Sequence, residues 1–272
     1  MKNNILLSLL GGIICLTQLT SCEKDSRDTE YGISENQLNM INKSLAIGSG
    51  GKLYDGQMPR ATGGTVAITD NPEAVQVSAG VLLYFNYNTN SNATLCKLYL
   101  QIEGSDSYWA APIEADPVTL IPYVRILIPN FVRDGDYTIT FAVEDCSGNI
   151  SNLVNTDLLV TAPLGCGASF SGSVGITALV ANLGSNSGVA TINYEMYSIK
   201  DRIDIRYNGQ WIGSSGTLLT PTGYPNCGLS PDGFVSGNGV VQFNYSASNP
   251  IVEIYVSGCQ SGTAWDIDIQ CP

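Results

Sequence analysis

Twenty-four Asp and Glu face twelve Lys and Arg in this 272-residue chain, and there is no histidine. That absence removes the Ser-His-Asp triad, the Cys-His pair and His-ligated zinc or haem. Reaction chemistry would fall to carboxylates, and a glycosidase needs two of them about 5–10 Å apart. Glu103, Asp106, Glu114, Asp116, Glu144 and Asp145 are available. No spacing singles out a pair among them. The expectation is a non-catalytic protein, with a carboxylate-based glycoside hydrolase as the enzyme reading to weigh against it.

Binding chemistry has more to work with. A sugar offers a C–H face that needs a flat aromatic ring, and hydroxyls that need planar polar groups beside it. Trp211 adjoins Asn208, Gly209 and Gln210, next to a tight turn. Tyr108 and Trp109 follow Gly104-Ser105-Asp106-Ser107, next to a loop. These positions (Trp211, Gln210, Asn208, Trp109, Tyr108) are the candidate ligand-binding residues. Asp266 and Asp268, joined by Asp201 or by backbone carbonyls, are candidate ligands for calcium, which takes six to eight oxygens at about 2.3–2.6 Å. No D-x-D-x-D-G loop occurs, and no other cofactor is expected. A net charge of −12 argues against nucleic acid as a partner, because phosphate binding needs a basic surface.

Six cysteines remain once Cys15 and Cys22 are set aside: 96, 146, 166, 227, 259 and 271. An even number, widely spaced and without C-x-x-C, reads as disulfides in an oxidising compartment. Crosslinks within each half predict Cys96–Cys146. For the other four, Cys166–Cys271 with Cys227–Cys259 is favoured, and Cys259–Cys271 is the rival.

The elements that must carry these residues are strands. From about residue 62 the apolar period is two. Val75 and Val77, residues 81–87, Leu95–Glu103, 118–128, 137–144 and 157–161 follow one another between turn signals, as in a β-sandwich. Residues 190–197, 201–207, 210–214, 240–245, 251–257 and 265–270 continue the pattern, with Asn208-Gly209 as a hairpin dipeptide. Parity places Arg202, Asp204, Arg206 and Asn208 on one side of a strand, read as a solvated face, and puts Trp265 in the core. Residues 23–60 are polar and Gly-rich and read as a flexible spacer, in which a short helix at 35–45 has little support.

Four resemblances add to this reading. Lys2, an apolar run over Ile5–Leu16 and Leu19-Thr20-Ser21-Cys22 together resemble a bacterial lipoprotein signal, which implies cleavage before Cys22 and acylation of its thiol. The following Glu23-Lys24-Asp25-Ser26-Arg27-Asp28 is similar to the start of Bacteroidetes-type surface lipoproteins, which implies the outer membrane and its outer face. The segment Asp134-Gly-Asp-Tyr137-Thr-Ile-Thr-Phe-Ala-Val-Glu-Asp145-Cys-Ser-Gly-Asn149 resembles the late strands of bacterial immunoglobulin-like domains. There Tyr137 would brace a tyrosine corner and Asp145 would serve the turn. Residues 197–209 and 262–272 look like accessory jelly-roll domains of exported bacterial proteins.

The expectation is therefore an all-β chain: a signal peptide at 1–21, a tether at 22–61 from lipidated Cys22, then two β-sandwich domains in tandem, Ig-like at 62–162 and jelly-roll-like at 163–272. Its partners would be the membrane through the lipid and an extracellular glycan. The alternative is a surface module for adhesion or protein–protein interaction.

Overall fold

The computed structural model describes residues 33–64, 66–90, 93–116 and 119–272. The expected signal segment, Cys22 and the first part of the tether lie outside the described residues. The remainder is nearly all β.

One helix, α1 (Glu35–Ser44), precedes the sheets. In the first half the strands of four or more residues are β1 (Lys52–Asp55), β2 (Ala74–Ser78), β3 (Leu82–Asn86), β4 (Leu95–Ile102), β5 (Ser107–Pro112), β6 (Pro122–Leu127), β7 (Gly135–Asp145) and β8 (Val154–Thr161). In the second half they are β9 (Ser169–Ser173), β10 (Gly175–Asn182), β11 (Gly188–Glu195), β12 (Arg202–Tyr207), β13 (Gln210–Ser214), β14 (Asn238–Tyr245), β15 (Ile251–Gly258) and β16 (Ala264–Gln270).

Both halves are sandwiches, and they share a sheet. The long sheet runs β13-β12-β15-β10-β2-β8-β7-β4-β5-β1. At its first-half end, β3 and β6 form the opposing layer, and Phe85 of β3 meets Phe141 of β7 edge-on at 5.6 Å. At its second-half end, the sheet β9-β16-β11-β14 closes over a core that includes Ile192, Ile203, Ile254, Trp265 and Ile267. Strand β2 sits between them. It pairs in parallel with β8 over residues 74–78 and with β10 through Gln76 and Val77. The expected boundary at 162–163 is therefore spanned by hydrogen-bonded sheet, and residues 35–272 form one unit.

Two sequence readings need correction. Residues 35–55, assigned to the tether, are folded onto the first sandwich. Ile41 and Leu45 are buried, Asn42 Nδ2 donates to Ser107 O at 2.7 Å, and Ile102 N donates to Asn42 Oδ1 at 3.0 Å. The apolar positions Leu38, Ile41 and Leu45 at helical spacing carry this, diluted by polar neighbours. The Arg202–Asp204 face is not solvated. Arg202 and Asp204 are 3% and 1% exposed because the long loop 215–237 lies over them. Arg202 Nε donates to Asp204 Oδ2 at 2.9 Å, and its Nη atoms donate to the carbonyls of Asp232 and Thr217.

Other local expectations hold. Cys96–Cys146, Cys166–Cys271 and Cys227–Cys259 are the three disulfides. Tyr137 OH donates to Arg133 O at 3.0 Å, the tyrosine-corner bond to upstream backbone. Asp145 Oδ1 accepts from Ser147 N and Asn149 N, both at 2.9 Å. Asn208 and Gly209 both take positive φ, +50° and +74°, as a tight hairpin turn of opposite twist requires.

Candidate functional site

The strongest ligand geometry lies at the free end of the long sheet, around one residue of the expected set. Tyr108 of β5 is paired with Tyr54 of the edge strand β1. Their rings stack with centroids 5.5 Å apart and 16° between planes. Tyr99 of β4 meets Tyr108 edge-on at 6.1 Å. Offset-stacked and edge-to-face arrangements are those that ring quadrupoles favour, so the three rings hold one another in place.

Short-range order fixes the rest. Glu144 accepts the Tyr99 hydroxyl and pairs with Lys97 at 2.6 Å. Burial pulls the Glu144 carboxyl upward, but the bonds from Lys97 and Tyr99 outweigh it, so its pKa falls below the ordinary value. Burial, then the bond to Glu144, pushes the Tyr99 phenol up. The register sets Lys52, Ala110 and Tyr99 side by side on the same face as Tyr54 and Tyr108. A small Ala110 leaves room between the lysine and the rings.

Strand β1 is the sheet's last, and all four of its residues are exposed. Tyr54 is 46% exposed. One ring face is taken by Tyr108, and the sheet edge leaves the other toward solvent. Lys52, without an ion pair among the described residues, supplies a donor beside it. This is an aromatic face with a polar flank, on a rigid strand rather than a loop.

The other expected residues are placed differently. Trp211 is only 9% exposed. Its indole N–H donates to Gly223 O at 3.1 Å, its ring packs edge-on against Tyr255, and Arg206 lies 5.7 Å from its centre. It anchors the loop 215–237 and offers no platform. Gln210 and Asn208 are exposed at the neighbouring turn without it. Trp109, one residue from Tyr108, points to the opposite face, where its N–H donates to Asn42 O of α1 at 2.7 Å.

The carboxylates are engaged separately. Asp106 pairs with Lys43 at 3.2 Å, Glu114 with Arg125 at 2.7 Å, and Asp116 accepts from Thr119 N at 2.7 Å. Asp201 is buried and accepts from Thr263 Oγ1 at 2.6 Å. Asp266 is bonded to Tyr197 and Asp268 to Ser169 on the outer face of the second sandwich. Among the described residues no group of three or more acidic or cysteine side chains is arranged to hold a cation.

Sequence reasoning missed Tyr54 and Lys52. Their signal was present: Lys52-Leu53-Tyr54-Asp55 is a short alternating segment bounded by Gly51 and Gly56, the pattern of a brief edge strand.

No family model and no curated protein sequence matches the chain. Among solved structures, similar ones include the fibronectin(III)-like modules of Clostridium thermocellum CbhA (13% identical, covering 36% of this chain and 97% of that one, TM-score 0.25). The D00-D0 domain of intimin is 13% identical and covers 76% of this chain and 99% of that one, with a TM-score of 0.24. The SGBP-B protein of a Bacteroides ovatus mixed-linkage glucan utilization locus, in complex with a heptasaccharide, is 11% identical; 74% and 53% are covered, with a TM-score of 0.23. At these scores none of the three bears on what this chain binds.

Proposed function

We propose that this chain is a non-catalytic, lipid-anchored envelope protein that captures an extracellular glycan on the Tyr54–Tyr108 stack. The observation that carries the reading is the exposed Tyr54 ring, braced on one face by Tyr108 and open on the other at the sheet edge. The Cys22 motif supports attachment to the outer membrane, with the binding end displayed to the exterior. A glycan-array screen of the full chain in detergent, with and without calcium, tests it against a Tyr54→Ala variant. Binding to a defined glycan, lost in the variant, is the expected result. Metabolic labelling with a fatty-acid analogue, abolished by Cys22→Ala, tests the anchor.

A protein-docking reading has its own observation: among the described residues the outer edge of β1 is unpaired, and Leu53 is exposed there, so an extended segment could add to the sheet. Silence across a broad glycan array, together with capture of an envelope protein that Leu53→Pro abolishes, would favour it.

A further inference from the structure

One cavity lies away from the tyrosine stack, where the two sandwiches meet. It encloses about 470 Å³, within the range of small-molecule sites. Its walls come from both halves: the turn Asp70–Ala74 leading into β2, Phe85 to Asn88 at the end of β3, the start of β10, and the Cys227–Cys259 disulfide. The walls are fixed. Gly175 has φ +115°, and a Cβ there would stand 3.0 Å from Ala74 O, so only glycine lets β10 come this close to β2.

The cavity presents acceptors and one unspent donor: Asn86, on its wall, has a buried Nδ2 with no hydrogen-bond partner among the described residues. Asn88 Nδ2 donates to Asp70 Oδ2 at 3.2 Å, and the Asn71 amide is spent on Pro72 O, Asn155 O and Thr156 Oγ1. Asp70 retains a carboxylate oxygen and Glu73 both of its own, and among the described residues neither has a cationic partner. No Lys or Arg lines the cavity. A ligand here can donate to these exposed carboxylates and accept from Asn86 Nδ2, and negative charge on it would be repelled by Asp70 and Glu73. Two chemistries qualify, a polyol and an ammonium. An ammonium group cannot accept from Asn86 Nδ2, and Phe85, the one aromatic residue among those lining the cavity, is 1% exposed, too little for the aromatic cage that favours such groups. Val174, at 53% exposed, and the disulfide give an apolar stretch of wall.

We propose that this junction cavity is a second binding site, taking a single neutral sugar ring whose hydroxyls donate to Asp70 and Glu73 and accept from Asn86 Nδ2, with Val174 beside it. The site is independent of the tyrosine stack. Saturation-transfer NMR on the full chain in detergent tests it, with the methyl β-glycosides of glucose, galactose, mannose, xylose and N-acetylglucosamine as probes and putrescine as the cationic probe. The expected result is transfer to at least one glycoside. Its Kd should rise at least tenfold in Glu73→Gln and in Val174→Trp, and stay unchanged in Tyr54→Ala. Ser261→Trp, on another part of the wall, repeats the obstruction should Val174→Trp melt early. Transfer to no glycoside, transfer to putrescine alone, or loss in Tyr54→Ala with both tryptophan variants inert would overturn the proposal. The last outcome would leave the tyrosine-stack reading standing.

Discussion

Asp201 shows how one buried side chain sets a pH dependence. Its carboxylate is fully buried, Thr263 satisfies one oxygen, and the other has no hydrogen-bond partner among the described residues. Burial pushes its pKa from 3.8 up to about 6. A raised carboxyl pKa means the folded state holds the proton longer than the unfolded one. Its stability contribution is favourable below about pH 4, declines as pH rises toward 6, and is flat above that. Asp201→Asn is therefore expected to stabilise the protein at pH 7.5, by on the order of 2–3 kcal/mol, and to change little at pH 4. Paired denaturant melts at the two pH values check this; an equal effect at both would contradict it.

Arg202 and Asp204 make the complementary case. Their pair is buried and bidentate, and Ser214 Oγ adds a hydrogen bond to Asp204 at 2.8 Å. Breaking it from one side leaves a charge without a partner, so Arg202→Ala should cost about 3–5 kcal/mol. The double variant Arg202→Met with Asp204→Leu should be less damaging than the single one, because no charge is stranded. Urea melts of the three chains give the comparison.

At the scale of elements, the loop 215–237 acts as a strap between the halves. Tyr224 from this loop stacks on Tyr84 at 5.0 Å and lies 4.0 Å from Tyr123, both on the first sandwich. Cys227 N donates to Asn86 Oδ1 at 3.3 Å, and the Cys227–Cys259 disulfide ties the strap to the end of β15. The paired change Cys227→Ser with Cys259→Ser should lower stability by about 2–4 kcal/mol, read by chemical denaturation. It should also raise proteolysis within 215–237, because the strap would lose its covalent tie and be held only by noncovalent contacts such as those of Tyr224, Trp211 and Arg202. Unchanged proteolysis there would contradict this role.

The same strap explains what the sequence concealed. Alternation made the strands legible, and Tyr137 and Asp145 announced their corner and turn locally. Division between halves announced Cys96–Cys146, while the pairing of the other four stayed open between alternatives that no local spacing decides. Trp211 and the Arg202–Asp204 face were misread because a distant loop, rich in Gly, Pro and Ser, covers them, and parity along one strand cannot register a lid that arrives from elsewhere. The candidate site was half legible: Tyr108 stood out beside its loop, while Tyr54, its partner across the sheet, sits more than fifty residues earlier in a stretch whose glycines suggested a spacer.

At the scale of the molecule, the parallel pairing of β2 with β8 and β10 turns two sandwiches into one sheet. Contacts of this kind join residues roughly 80–100 apart in sequence and leave no local pattern to read. Tyr255 OH, which donates to Leu82 O at 3.1 Å, adds a further tie across the junction. Residues 35–272 are therefore expected to unfold in a single cooperative transition. Scanning calorimetry tests this: one peak is predicted, and two well-separated peaks would show independent domains.

The central claim, glycan capture at the sheet edge, is tested most directly by calorimetric titration of the best array glycan into the full chain and into Tyr54→Ala. A Kd at least tenfold weaker in the variant is expected, the consequence of losing about 1.4 kcal/mol or more of ring contact, with its melting temperature little changed because Tyr54 is an exposed edge residue. Equal affinity in the two proteins would contradict it.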